Sequence, residues 1–177
     1  IPNLTVIRPA DAMETAEAWE AALANAGGPT ALILTRQNLA AVRTSVPFEN
    51  PTARGAYVLK DAVDAKATIF ATGSEVEIAL EAARSLETEG IAARVVSMPS
   101  FELFEAQDEA YRTQVLGETG IKVAVEAAIR QGWDRYIGAD GIFVGMTGFG
   151  ASAPAEALYK HFGITAEAIV KAVKARI

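Results

Sequence analysis

Between Lys66 and Pro99 the chain spells out a β-α-β unit, and this stretch constrains the fold more than any other. Ala67 to Ala71 (ATIFA) is apolar except at Thr68, so it reads as a strand buried on both faces. Such strands need a sheet covered on each side. Gly73-Ser74 then turns the chain into a helix. Ser74 stands three residues before Glu77, the spacing of a capping box. Ile78, Ala82, Ala83 and Leu86 mark one helical face, and Gly90 ends it. Ala93 to Met98 (ARVVSM) is the next strand, stopped by Pro99. Strands joined by a helix-length crossover are parallel.

The same alternation continues on either side. Ala56 to Lys60 is a candidate strand before the unit. After it come one or two helical pieces over 100–116, a strand at Ile121 to Val125, and a helix expected over 126–137. Ile142 to Met146 is a last strand. The loop Thr147-Gly148-Phe149-Gly150 leads to a helix from Ser152 or Ala153 to His161, with Gly163 as its terminating glycine. Thr165 caps a final helix over 166–176. Residues 55–177 therefore read as one α/β domain, a three-layer sandwich around a mostly parallel (mixed) sheet.

The first 42 residues carry a shorter version of the pattern. Leu4 to Ile7 is a strand closed by Arg8-Pro9, and Asp11 is a plausible N-cap. A helix follows over 12–24, with Met13, Ala16, Trp19 (or Glu20) and Leu23 at helical spacing. After the stop signal Asn25 to Pro29, Thr30 to Leu34 forms the next strand. Both strands read as buried, and two strands do not make a stable sheet. Residues 1–42 are thus expected to be the tail of a second α/β domain, a partial β-α-β. Residues 43–54, polar and with two prolines, are the expected linker.

Composition removes several function classes. The net charge is −6 and the pI about 4.9. A nucleic acid or an anionic membrane would need a basic surface, so neither is an expected partner. There is no cysteine and one histidine, which excludes thiol chemistry and His-rich metal sites. No apolar run approaches a membrane span, and no signal peptide opens the chain, so a soluble cytoplasmic protein is expected.

Arg36 is the preferred functional residue. It ends the apolar run Ala31 to Leu34, within Thr35-Arg36-Gln37-Asn38. Open α/β sheets bind ligands beyond the carboxyl ends of their strands, and a guanidinium can hold a phosphate with two parallel hydrogen bonds. Other features read as structural. The turn at Gly73 has its donors taken by the capping box. Gly148 and its neighbours permit a tight turn. His161 suits a helix C-terminus. Glu126 ends an apolar strand, where catalytic acids occur, yet it could equally cap a helix. Trp133 and Tyr136 read as core.

Six segments, GPTALILTRQNL (28–39), ARGAYVLKDA (53–62), IFATGSEVEIAL (69–80), ARVVSMPSFELFEAQ (93–107), VAVEAAI (123–129) and FVGMTGFGASAPAEALYKHFGIT (143–165), together resemble the C-terminal end of transketolases. The resemblance implies the last β-α-β of a pyrimidine-binding domain (1–42), a linker (43–54) and a C-terminal domain (55–177). It implies a transferase of the pentose phosphate pathway that moves a two-carbon ketol unit from a ketose phosphate to an aldose phosphate. It further implies thiamine diphosphate with a divalent metal (Mg or Ca), and a homodimer. Arg36 aligns with the family's phosphate-contacting arginine, with Thr35 where Ser is common. The family's cofactor motif is missing, Gly138-Ala139-Asp140-Gly141 being the nearest string. No catalytic, cofactor-binding or metal-ligating residue is therefore assigned in this chain, and the 177 residues alone are expected to be inactive. The alternatives are another thiamine-dependent enzyme, such as one like the synthase of deoxyxylulose phosphate, and a non-catalytic module for dimerisation or regulation.

Overall fold

Two sheets organise the computed structural model, which describes residues 1–45 and 48–177; Val46 and Pro47, inside the expected linker, lie outside the described residues. In the first sheet β1 (Thr5–Ile7) and β2 (Thr30–Leu32) pair in parallel and are joined by α1 (Ala12–Ala24). The second is built from β3 (Tyr57–Lys60), β4 (Ala67–Ala71), β5 (Ala93–Ser97), β6 (Ile121–Glu126) and β7 (Ile142–Gly145). Its order is β3-β5-β4-β6-β7, and β3 alone runs antiparallel.

The five-stranded sheet is the centre of a three-layer sandwich. Ile69, Val95, Val123 and Val125 point to one face, under α2 (Glu75–Thr88) and α7 (Ala166–Lys174). Phe70, Val96 and Ala124 point to the other. That face is covered by α3 (Phe101–Glu105), α4 (Glu109–Leu116) and α5 (Asp134–Ile137), whose Phe104, Val115, Trp133 and Tyr136 are buried. The period-2 alternation of strand side chains thus feeds two cores from one strand. A further helix, α6 (Ala155–Phe162), ends at Gly163 in the left-handed conformation.

Several sequence expectations need correction. The helix expected over 126–137 is confined to Asp134–Ile137, because Glu126 completes β6 and Gly132 sits at φ +94°, a conformation that breaks a helix. The last two helices are Ala155–Phe162 and Ala166–Lys174; the first begins only after Pro154, whose ring suits a helix start. The capping box is absent. Ser74 is itself helical, at φ −59° and ψ −23°, and its side chain caps nothing. The Glu75 and Val76 N–H groups donate instead to Thr72 O and Gly73 O, at 3.3 and 3.2 Å. Finally, β2 stops at Leu32, and β1 and β2 are only partly buried apart from Ile7, since each has a neighbour on one side only.

α1 departs most from its pattern. Trp19 and Leu23 are 52% and 81% exposed, while Glu14 and Ala18 are buried. The packed face is therefore a polar one. Glu14 Oε1 accepts from the Tyr57 and Ser97 hydroxyls, each at 2.6 Å, and Oε2 accepts from Ala10 N at 2.7 Å. Burial pushes the Glu14 carboxyl above its usual range, against the lowering effect of these donors. Glu17 accepts from Thr52 and Arg43 at 2.6 Å each, so the segment expected as a linker is tied down at both of its described ends. Gly55, just after this segment, lets the chain pass close to the backbone of α3. Its φ is +79°, and a Cβ there would lie 2.1 Å from Phe104 N.

Candidate functional site

The carboxyl ends of β1, β2, β4, β6 and β7 converge on one cleft of about 750 Å³. It lies where an open parallel sheet is expected to bind: β5 and β6 flank β4, so the chain order reverses direction at β4. Each wall residue is delivered by the end of an element. Arg8 follows β1, Arg36 follows β2, Thr72 follows β4, Glu126 ends β6, and Tyr159 comes from α6.

Most of the charge in the cleft is already partnered. Glu126 is 5% exposed; it meets the Arg8 guanidinium through Oε1 and accepts from Trp133 Nε1 at 2.7 Å through Oε2. The Arg8 backbone joins the two sheets as well, with its N–H bonded to Pro99 O and its carbonyl accepting from Gly73 N. Across the cleft Glu75 accepts from Ser74 Oγ at 2.8 Å and from the Tyr159 hydroxyl. Burial, then the Glu75 charge, pushes the Tyr159 phenol up. The Thr72 hydroxyl is buried with no partner among the described residues.

Arg36 differs from the other charges. It is exposed on the cleft rim and has no carboxylate partner among the described residues. Its placement is looser than the sequence suggested. Ile33 and Leu34, each 52% exposed, separate it from the end of β2. The cleft therefore combines one available cation, one Arg8–Glu126 ion pair, one carboxylate held by hydroxyls and an apolar floor, and Arg36 is the group in it that could meet a small anionic ligand.

Glu126 earned only a secondary place from sequence, and the structure makes it the pivot of the cleft wall. Arg8 was missed. Its one signal was a cation directly after a strand, the same signal that singled out Arg36. His161 is exposed on the last turn of α6, and Gly148 and Gly150 stand in an exposed loop with open space around them. No group of three or more His, Cys, Asp or Glu side chains able to hold a metal occurs among the described residues. No helix among them is long and apolar enough to cross a membrane.

Comparison with known proteins agrees with this arrangement. A family model described as the transketolase-like C-terminal domain matches residues 55–165, and one described as the transketolase pyrimidine-binding domain matches residues 1–42. The chain is similar to a transketolase from Cereibacter sphaeroides, with 63% identity over the whole chain and 27% of that relative. A transketolase from Pichia stipitis solved in complex with sedoheptulose 7-phosphate superposes with a TM-score of 0.89 at 36% identity, over 98% of this chain and 25% of that one. A split-gene transketolase described as an inactive β4 tetramer gives a TM-score of 0.79 at 31% identity, over 99% of this chain and 58% of that one. The chain spans about a quarter of the length of the curated relatives it matches. In matched models, identity and fold alike, the chain belongs to the transketolase family and corresponds to its C-terminal portion.

Proposed function

We propose that this chain presents Arg36 to the phosphate of a sugar phosphate in an enzyme that transfers two-carbon ketol units from ketose to aldose phosphates. The observation that carries the reading is an exposed guanidinium, without a carboxylate partner among the described residues, on the rim of the cleft at the strand ends. A dianionic phosphate accepts bidentate hydrogen bonds from arginine, each charge-assisted bond being worth roughly 1.5–3 kcal/mol. Its neighbours favour the role: Glu126 is held by Arg8 and Trp133, Glu75 by Ser74 and Tyr159, and among the described residues neither is paired with Arg36.

In this reading residues 1–42 are the tail of a pyrimidine-binding domain, 43–54 a linker and 55–177 a C-terminal domain. Thiamine diphosphate would supply the electron sink for the two-carbon unit, with Mg or Ca, in a homodimer acting in the cytoplasm on sugar phosphates. The described residues form no group of three or more His, Cys, Asp or Glu side chains able to hold a metal. We therefore assign them no step through the cofactor and place its ligands elsewhere in the enzyme. The 177 residues alone would be inactive, and the split-gene relative described as an inactive tetramer supports that expectation.

Steady-state kinetics of Arg36→Gln in the whole enzyme, with thiamine diphosphate and Mg²⁺, test the role. KM for a phosphorylated donor should rise about tenfold or more, while an unphosphorylated ketose donor keeps its KM and kcat. Equal effects on both donors would remove Arg36 from phosphate recognition.

A further inference from the structure

The opposite end of the five-stranded sheet holds a second cavity, of about 520 Å³, at the amino ends of β6 and β7. Four residue steps along β6 separate its Lys122 from Glu126 in the first cleft, about 13 Å at the usual strand rise. Three cations line this cavity, Lys122, Arg135 and Arg176, against one carboxylate, Asp140. On a chain of net charge −6, that is a local reversal of sign.

Two of these cations, Lys122 and Arg176, are left without a carboxylate partner among the described residues. Lys122 projects from β6 on the same face as Ala124, beneath the α3–α5 layer, and is partly buried. It has no carboxylate within ion-pair distance among the described residues. Burial, then the Arg94 charge, pulls its ammonium below the usual lysine range. Arg94 is already committed, to Asp61 at 2.9 Å and to Gln114 O at 3.2 Å. Arg176 likewise has no carboxylate partner among the described residues, and Arg135 reaches Glu105 only at 3.6 Å. One wall is held in place. The Arg130 guanidinium donates to Gly138 O, Ala139 O and Gly141 O at 2.9–3.2 Å and to Asp134 at 2.7 Å, fixing the loop 138–141.

We propose that this cavity binds a phosphoryl group, with Lys122 and Arg176 as its charge partners and Arg135 at its edge. A partly buried Lys122 without a carboxylate partner, beside an exposed Arg176, is stabilised by a dianion. The volume leaves room for an organic substituent beside the phosphate. The site is separate from the Arg36 cleft and does not depend on its assignment.

Pyridoxal 5′-phosphate is a suitable probe, because its aldehyde forms an imine with an unprotonated lysine, with loss of water, and its phosphate reports the anion site. The full-length protein would be treated with this compound, reduced with borohydride and mapped by peptide mass. Labelling at Lys122 should exceed that by pyridoxal, which lacks the phosphate, and inorganic phosphate should protect it. Arg176 is exposed, so Arg176→Gln leaves folding intact and should weaken phosphate protection about tenfold. Better protection by glycerol phosphate than by inorganic phosphate would identify a monoester as the ligand, and equal protection the free ion. Labelling of Lys122 that is indifferent to phosphate and to Arg176→Gln, or labelling confined to other lysines, overturns the proposal.

Discussion

The molecule is held together in two different ways. Inside residues 55–177 the strands and helices meet through dry, apolar layers: Phe70, Phe104 and Trp133 on one side of the sheet, Ile69, Leu86 and Ile169 on the other. At the seam where α1 meets this sheet, the contact runs through carboxylates. Glu14 gathers two hydroxyls and a backbone N–H, Glu17 gathers Thr52 and Arg43, and Glu126 gathers Arg8 and Trp133. Apolar layers tolerate rearrangement at modest cost if volume is kept. A buried carboxylate network does not, because each partner left behind is an unpaired polar group. The seam therefore fixes an orientation, while the core supplies stability.

The largest expected effect lies in the core. Phe70→Ala should lower the stability of the five-stranded sheet by about 3–5 kcal/mol, read by chemical denaturation with far-ultraviolet circular dichroism. A loss well under 1 kcal/mol would mean that the sheet is not the principal stabilising unit. A smaller and more local change is expected at the seam. Glu14→Ala strands the Tyr57 and Ser97 hydroxyls and Ala10 N, at roughly 2–4 kcal/mol in all. Hydrogen exchange should accelerate over residues 5–32 and stay slow in β4 and β6. Uniform acceleration would erase the distinction between the two regions.

The mildest test keeps the seam and removes its charge. The Glu14 pKa is raised in the fold above the ordinary value of 4.5. Between that value and the raised one the folded state binds more protons than the unfolded state, so stability falls as pH rises through the window. Glu14→Gln can still accept from Ala10 N and donate to the two hydroxyls. Its urea midpoint should vary less with pH than that of the unaltered chain, and parallel curves for the two would show that Glu14 does not titrate there.

The two regions also differed in how much of them the sequence disclosed. Strand β4 is read residue for residue, because a run apolar but for Thr68, between Lys66 and a Gly-containing turn, points to a buried strand. Chain order and the mostly parallel sheet follow from such runs. The seam was opaque for the opposite reason. Glu14 and Glu17 on a helix look like solvent-facing residues, and the Met13, Ala16, Trp19 and Leu23 stripe pointed to the wrong face. Which side of α1 is packed depends on Tyr57 and Ser97, far away in the chain, and no local period reports them. At the cleft, Arg36 was legible from its strand. The Arg8–Glu126 contact was not, since it joins residues of different sheets. The stretch 127–133 was expected to be part of a helix, but Gly132 at φ +94° imposes another path.

The strand order has a consequence for how the chain emerges during synthesis. β4 is the middle strand of the five, yet it is the first of the parallel ones to leave the ribosome. Its Ala67 has no partner until Ala93 arrives, and its second edge stays bare until Ile121 does. At about 5–20 residues per second, a strand buried at every residue in the fold spends some seconds with an open edge. During that interval α2, the helix that follows it, can already cover Ile69 on one face of β4, while α7, which shares that face, is made last.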